Sequence, residues 1–179
     1  MLQWDLARAV PRRVGEAAVG RGDIQALAAG GDALYAATSD GGLWAWPLDR
    51  RTGELGPRRC HRAAHDDRVS ALALSPGGIL FSASLDGALK AWDAGGLALV
   101  HEQPAAHGGE RLHAAALGAD GTLYTGGDDG CVRRWVSSLL QPAGEPLYRH
   151  SAGVRALAIG PGGLLVSADK AGCVSAWSV

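Results

Sequence analysis

The residues with most capacity for chemistry in this 179-residue chain are its histidines, paired acids and cysteines. His65, His107 and His150 stand 42 and 43 residues apart, Cys131 and Cys173 stand 42 apart, and acids pair at Asp66-Asp67 and Asp128-Asp129. Imidazole, thiolate and carboxylate are the donors a transition metal takes, and imidazole held by a carboxylate is the usual general base. Such sets need residues that converge, and here one long interval simply repeats. Residues at matching places in successive copies of a repeat lie in different copies and cannot share an ion. His61, His101 and His113 lack acid or Cys partners at ligand spacing, and no CxxC motif, nucleophile elbow or helix-opening glycine run occurs. No catalytic residue, cofactor-binding residue or metal ligand is therefore assigned; no cofactor and no enzyme activity are expected.

The interval has a structural source. Tryptophans at 4, 46, 92, 135 and 177 are separated by 42, 46, 43 and 42 residues. A fixed period of this size marks one supersecondary unit repeated. Residues 70–93, SALALSPGGILFSASLDGALKAWD, show the unit most clearly. They read as three short strands (a, b and c), with Ser-Pro-Gly-Gly at 75–78 and Asp86-Gly87 as the turns. Strand a carries small residues at matched positions: Ala26 and Ala28, Ala71 and Ala73, Ala114 and Ala116, Ala156 and Ala158. Period two puts each pair on one face, with larger residues such as Leu72 and Leu74 opposite. Alanine at four matched places fits a radial array whose sheets crowd along their innermost strands. No helical pattern of useful length appears.

Composition narrows the rest. A net charge of −1 gives no electrostatic case for nucleic acid or an anionic membrane. No apolar run approaches the roughly 18 residues of a spanning helix. Three cysteines, odd in number and widely spaced, suit a reducing, intracellular and cytoplasmic setting.

The pattern of His65, Ser-Pro-Gly-Gly, Ser82-Ala83-Ser84-Leu85-Asp86-Gly87 and Trp92-Asp93 resembles the tryptophan-aspartate (WD) repeat of β-propellers. The resemblance implies an all-β chain of about four four-stranded antiparallel blades plus an extra N-terminal strand at residues 2–5, as an open arc or part of a larger propeller. The expected division is a partial blade over 1–22 and blades over about 23–61, 65–103, 107–149 and 150–179 of a single propeller region, 1–179. The resemblance also implies a structural tetrad in each blade: a His before strand a, a hydroxyl on strand b, an Asp in the b–c turn and the strand-c Trp. The second blade is then complete with His65, Ser84, Asp86 and Trp92. The third keeps His107, Asp129 and Trp135, with Gly127 in the hydroxyl place. The first keeps Thr38, Asp40 and Trp46, and the fourth keeps His150 and Trp177, with Asp169 in the hydroxyl place and Ala171 in the turn.

Proteins of this kind are overwhelmingly platforms for other proteins. The implied function is a non-enzymatic scaffold that presents a propeller face to a peptide or partner domain, with no nucleic acid and no membrane among its partners. On that face the residues expected to bind are Arg68, Arg111, Leu85, Asp128, Lys170 and Trp44, a mixed-charge rim around an apolar spot. The alternative is a ligand-binding or enzymatic propeller with a site in the central channel, against which the alanine pairs of the inner strands weigh. Unpaired sheet edges at the ends of an open arc also imply self-association.

Overall fold

The computed structural model describes Glu16, Ala18, Val19 and residues 22–49, 51–148 and 150–179. Among the described residues there are sixteen strands and no helix. The first sheet holds β1 (Ile24–Gly30), β2 (Ala33–Thr38), β3 (Leu43–Pro47) and β4 (Arg59–His61). The second holds β5 (Val69–Leu74), β6 (Ile79–Ser84), β7 (Leu89–Asp93) and β8 (Ala98–Gln103). The third holds β9 (Leu112–Leu117), β10 (Thr122–Gly127) and β11 (Cys131–Val136), with β12 (Gln141–Pro142) and β13 (Leu147–Tyr148) both pairing the outer edge of β11. The fourth holds β14 (Val154–Gly160), β15 (Leu164–Asp169) and β16 (Val174–Ser178). Each sheet is an antiparallel meander in chain order, so every blade is built from local hairpins. The strand expected at residues 2–5 lies outside the described residues; Ala18 and Val19 are in no strand.

Turn chemistry sets the strand ends. Ser75 Oγ accepts the Ile79 N–H at 3.0 Å and closes the a–b turn of the second blade. Asp86 Oδ1 accepts the Ala88 N–H at 2.8 Å in the b–c turn, where Gly87 has φ 86°. That left-handed backbone suits glycine because it has no Cβ.

The core lies between blades. The face of the first blade that carries Ala26, Ala28, Ala37 and Ala45 packs on Val69, Leu72, Leu74, Leu80 and Trp92 of the second. The alanine-rich face of the second, with Ala71, Ala73, Ala83 and Ala91, packs on Leu112, Leu117, Leu123 and Trp135 of the third. Tyr124 and Val132 of the third meet Val154, Leu157, Ile159 and Leu165 of the fourth. At the first two junctions a small, alanine-rich face therefore meets a larger one, while at the third an aromatic ring and a valine meet aliphatic side chains. Each fully buried leucine in these layers contributes about 1.5–3 kcal/mol. The innermost strands β1, β5, β9 and β14 are neighbours in that order, and β14 does not pack against β1 as the others pack on each other. The four blades form an arc.

Candidate functional site

Two groups of polar residues recur from blade to blade. The first is buried. In the second blade, Trp92 Nε1 donates to Ser82 Oγ at 2.8 Å, Ser82 Oγ lies 2.7 Å from His65 Nε2, and His65 Nδ1 lies 2.9 Å from Asp86 Oδ2. Hydrogen-bonding roles follow from the end groups. Indole N–H can only donate and a carboxylate can only accept, so Nδ1 carries the imidazole proton and Nε2 accepts the Ser82 hydroxyl proton. The third blade repeats the relay through Trp135, Thr125, His107 and Asp129, at 2.8 Å for each step. The fourth repeats it through Trp177, Ser167, His150 and Asp169, at 2.9, 2.6 and 3.1 Å.

The hydroxyl in these relays is not the one expected. Ser82, Thr125 and Ser167 fill that place, each ten residues before the strand-c Trp. Ser84 instead donates to the Arg68 carbonyl at 2.9 Å and accepts the Asp86 N–H at 3.1 Å. Strand alternation explains the difference, because Ser82 and Ser84 point to the same face and only the outer one ends the strand. The third blade consequently has a complete set, and Gly127 is no gap. The fourth is complete as well. Asp169 stands at the end of β15 rather than in the turn, yet its Oδ1 accepts the N–H groups of Ala171 and Cys173 at 3.0 and 2.8 Å, as a turn acid does, while its Oδ2 holds His150. The first blade has Ala36 at the hydroxyl place, and Thr38 Oγ1 bonds Asp40 Oδ1 at 2.6 Å.

Hydroxyl, imidazole and carboxylate in this order match the layout of a nucleophilic triad. The chemistry is blocked by access: Ser82, Thr125 and Ser167 are fully buried, and each accepts an indole or is sealed under it. Electrostatics agree with a structural role. Burial raises the Asp86 carboxyl, but hydrogen bonds from His65 and from the Ala88 and Asp66 amides outweigh it and hold the group at about 2. Burial likewise opposes, and the His107 bond and charge outweigh, at Asp129, also about 2, with Arg133 adding a bond. The amide of Cys173 leads in lowering Asp169. Cys173, His150 and Asp169 place donor atoms within 4.8 Å of one another, but both His150 nitrogens are already engaged, so no imidazole lone pair is left for a metal.

The second group lies at the blade end that carries the b–c turns. A backbone bond joins the residue after strand b to the residue before strand a in each blade: Leu85 N to Arg68 O at 3.0 Å, Asp128 N to Arg111 O at 2.9 Å, Lys170 N to Gly153 O at 2.9 Å and Ser39 N to Asp23 O at 2.9 Å. The fold thereby brings Arg68 beside Leu85 and Arg111 beside Asp128, and sets Lys170 at the equivalent place. Arg68, Arg111 and Lys170 are exposed, and Leu85 and Asp128 are half-buried. Trp44 does not belong with them. It is 4% exposed, packed with Val19, Ala36 and Trp46, with Arg58 over its ring at 5.1 Å. A bulky apolar side chain on an outward-facing strand position found cover from neighbouring residues instead of staying in water.

Next to this rim the second residue of each innermost strand is polar: Gln25, Ser70, His113 and Arg155. Register shifts in all four pairings of an innermost strand, β1–β2, β5–β6, β9–β10 and β14–β15, fall on Gln25, Ser70, His113 and Arg155. A bulge re-aims one side chain out of the alternation. Ser70 Oγ donates across the blade junction to the Leu112 carbonyl at 2.7 Å. Asp128 Oδ1 accepts from Arg155 Nη1 at 2.7 Å and lies 3.1 Å from His113 Nε2. Burial, then the Arg155 charge, lower His113 against the pull of Asp128. Of these positions the sequence drew attention only to His113, whose acid partner Asp128 lies 15 residues on; the recurrence of a polar residue right after the first apolar residue of strand a was the available signal. At the opposite end a cleft of about 430 Å3 lies between the first two blades, lined by Gly30, Tyr35, Leu74, Pro76 and Ala94 among others.

Together these features define a β-propeller with structural polar networks inside three blades. Comparison with known proteins agrees. Residues 58–93 match the family model described as WD domain, G-beta repeat. The fold is similar to that of the computationally designed Ika4 protein, at TM-score 0.74 and 24% identity over 95% of this chain and 99% of that one. It is similar also to the designed Ika8 protein, at TM-score 0.67 and 26% identity over 87% of this chain and 45% of that one. The WD40 repeats of RRP9 give TM-score 0.75 and 21% identity over 89% of this chain and 50% of that one. The chain thus spans nearly all of Ika4 and about half of the other two. A search of curated proteins finds no match. The chain has the WD40 propeller fold, and its second blade carries the WD repeat.

Proposed function

We propose that this chain is a non-enzymatic protein-interaction scaffold, docking a peptide or partner domain on the blade end formed by Arg68, Leu85, Arg111, Asp128 and Lys170. The observation that carries the reading is the repeated backbone bond that stations these side chains at one end of successive blades, exposed or half-buried, on a rigid support. WD40 propellers commonly serve as interaction platforms, which supports the same reading. A site inside the channel has less support. The charged groups His113, Asp128 and Arg155 on and beside the inner strands satisfy one another. A cytoplasmic setting is part of the proposal, consistent with three unpaired cysteines.

The test is affinity capture with quantitative mass spectrometry, comparing the wild type with Leu85→Asp and with the double reversal Arg68→Glu, Arg111→Glu. Exposed charges contribute little to stability, so the double reversal keeps its stability within about 1 kcal/mol of wild type, and a melt of Leu85→Asp checks that this half-buried position leaves the chain folded. A partner held by the wild type and lost by both variants supports the docking face. Equal recovery by all three contradicts it.

A further inference from the structure

The outer strand of the third blade breaks in its middle. In the second blade β8 pairs with β7 from Leu89 to Asp93, across one bulge. In the third, β12 pairs with Trp135 and Val136, and β13 pairs with Cys131 and Val132. Residues 143–146 therefore stand opposite Arg133 and Arg134 alone. Their sequence, Ala-Gly-Glu-Pro, explains the break: Pro146 has no N–H to give to a ladder, and Gly144 takes φ 88°. Beside the break lies a pocket of about 340 Å3 between the second and third blades, lined by Gln103, Ala105, Arg133, Arg134, Gly144 and Pro146 among others.

The two arginines of this pocket are differently engaged. Arg133 donates through Nε and Nη2 to Asp129 Oδ2, at 3.3 and 3.0 Å. The Arg134 carbonyl accepts the Ala143 N–H at 2.8 Å, but among the described residues nothing accepts from its side chain. Its Nε is buried without a partner, and no carboxylate stands within ion-pair distance. The guanidinium reaches over Gly144, where a Cβ would stand 2.8 Å from Nη2. Glycine thus leaves room for it at the pocket wall. A buried charged donor left unpaired costs the chain stability, and a planar guanidinium is best satisfied by two parallel bonds to a carboxylate or phosphate. The pocket volume lies within the roughly 300–1,000 Å3 of small-ligand sites.

We propose that this pocket binds a small molecule through a carboxylate or phosphate oxyanion held by Arg134, with Arg133 adding positive charge alongside. The site lies at the broken outer strand and is independent of the docking face proposed above.

The test is nitrogen-15 NMR of the arginine Nε–H groups of the 179-residue chain, titrated with inorganic phosphate and separately with acetate at constant ionic strength. The Arg134 signal, assigned by its absence in Arg134→Gln, should shift saturably with at least one of the two, and that one names the oxyanion. Exposed Arg68 is the internal control and should not saturate. The bound anion should also raise the melting temperature of wild type. Arg134→Gln should lower the affinity read from that rise by about tenfold or more, since a bond to a charged group is lost. Ala105→Trp, at an exposed lining residue, keeps the guanidinium but fills the pocket, and should weaken binding as well. No saturable shift with either anion overturns the proposal. So does a shift that Arg68 shares, or a melting-temperature rise that both variants retain in full.

Discussion

Ser82 Oγ lies 2.7 Å from His65 Nε2 in the sealed interior of the second blade, at a distance and in an order that would suit catalysis if a substrate could reach it. It also accepts the Trp92 N–H, so one hydroxyl serves both neighbours. Ser82→Ala leaves the indole N–H and the imidazole Nε2 without partners. The expected loss is on the order of 1–3 kcal/mol. Asp40→Ala in the first blade, where the carboxylate is exposed and accepts from the Thr38 hydroxyl, should cost about 0.5–1 kcal/mol. Thermal melts of the two variants check the order; an equal loss contradicts a network centred on Ser82.

Trp44 of the first blade and Trp92 of the second, both buried, should respond differently to loss of the indole nitrogen. Trp44 Nε1 is buried without a hydrogen-bond partner. Trp44→Phe therefore removes an unsatisfied donor along with some packing, and stability should stay within about 1 kcal/mol of wild type. Trp92→Phe strips the donor from Ser82 and leaves a void, costing about 2 kcal/mol or more. Urea denaturation at neutral pH reads both.

Acid should weaken the chain through Asp86 and Asp129, whose carboxyls are held at about 2 against an ordinary 3.8. The unfolded chain then binds protons before the folded one does. The contribution of these groups is present above about pH 4 and is lost as pH falls from about 4 to about 2. Urea midpoints measured across that window should fall steeply for wild type and less steeply for the double variant Asp86→Asn, Asp129→Asn. Parallel curves would mean that other carboxylates dominate.

Gly41 and Gly78 have nearly the same backbone, φ 80° and 79°, but different surroundings. A Cβ on Gly41 would overlap the His65 carbonyl of the next blade, while one on Gly78 meets open space. Gly78→Ala should cost about 1 kcal/mol from strain alone. Gly41→Ala should cost clearly more, since the first two blades must separate. Comparable melting temperatures would show that this junction yields.

Much of this was legible in the sequence, for physical reasons that also mark the limit. The meander was readable because Asp86-Gly87 and its copies turn the chain at a constant distance from a tryptophan, and alanine at matched places revealed the crowded inner strands. Ser82 and Ser84 could not be told apart, because alternation gives both the same face and the bond to Trp92 depends on depth in the blade. Asp169 was read as misplaced, since its span to Trp177 differs from the Asp86–Trp92 span by two residues; a carboxylate at the strand end reaches His150 all the same. Trp44 looked like surface because its counterparts are Lys90 and Arg133, and only packing against Val19 and Trp46 hides it.

The central claim is that the histidines most suggestive of chemistry are locked structural donors. Nitrogen-15 NMR of the imidazole side chains at about pH 8 tests it most directly. His65, His107 and His150 should each show the Nδ1–H tautomer, with ring protons that exchange slowly with water. Rapid exchange, or the Nε2–H tautomer, at any of the three would contradict the relay from tryptophan to carboxylate and reopen the catalytic reading.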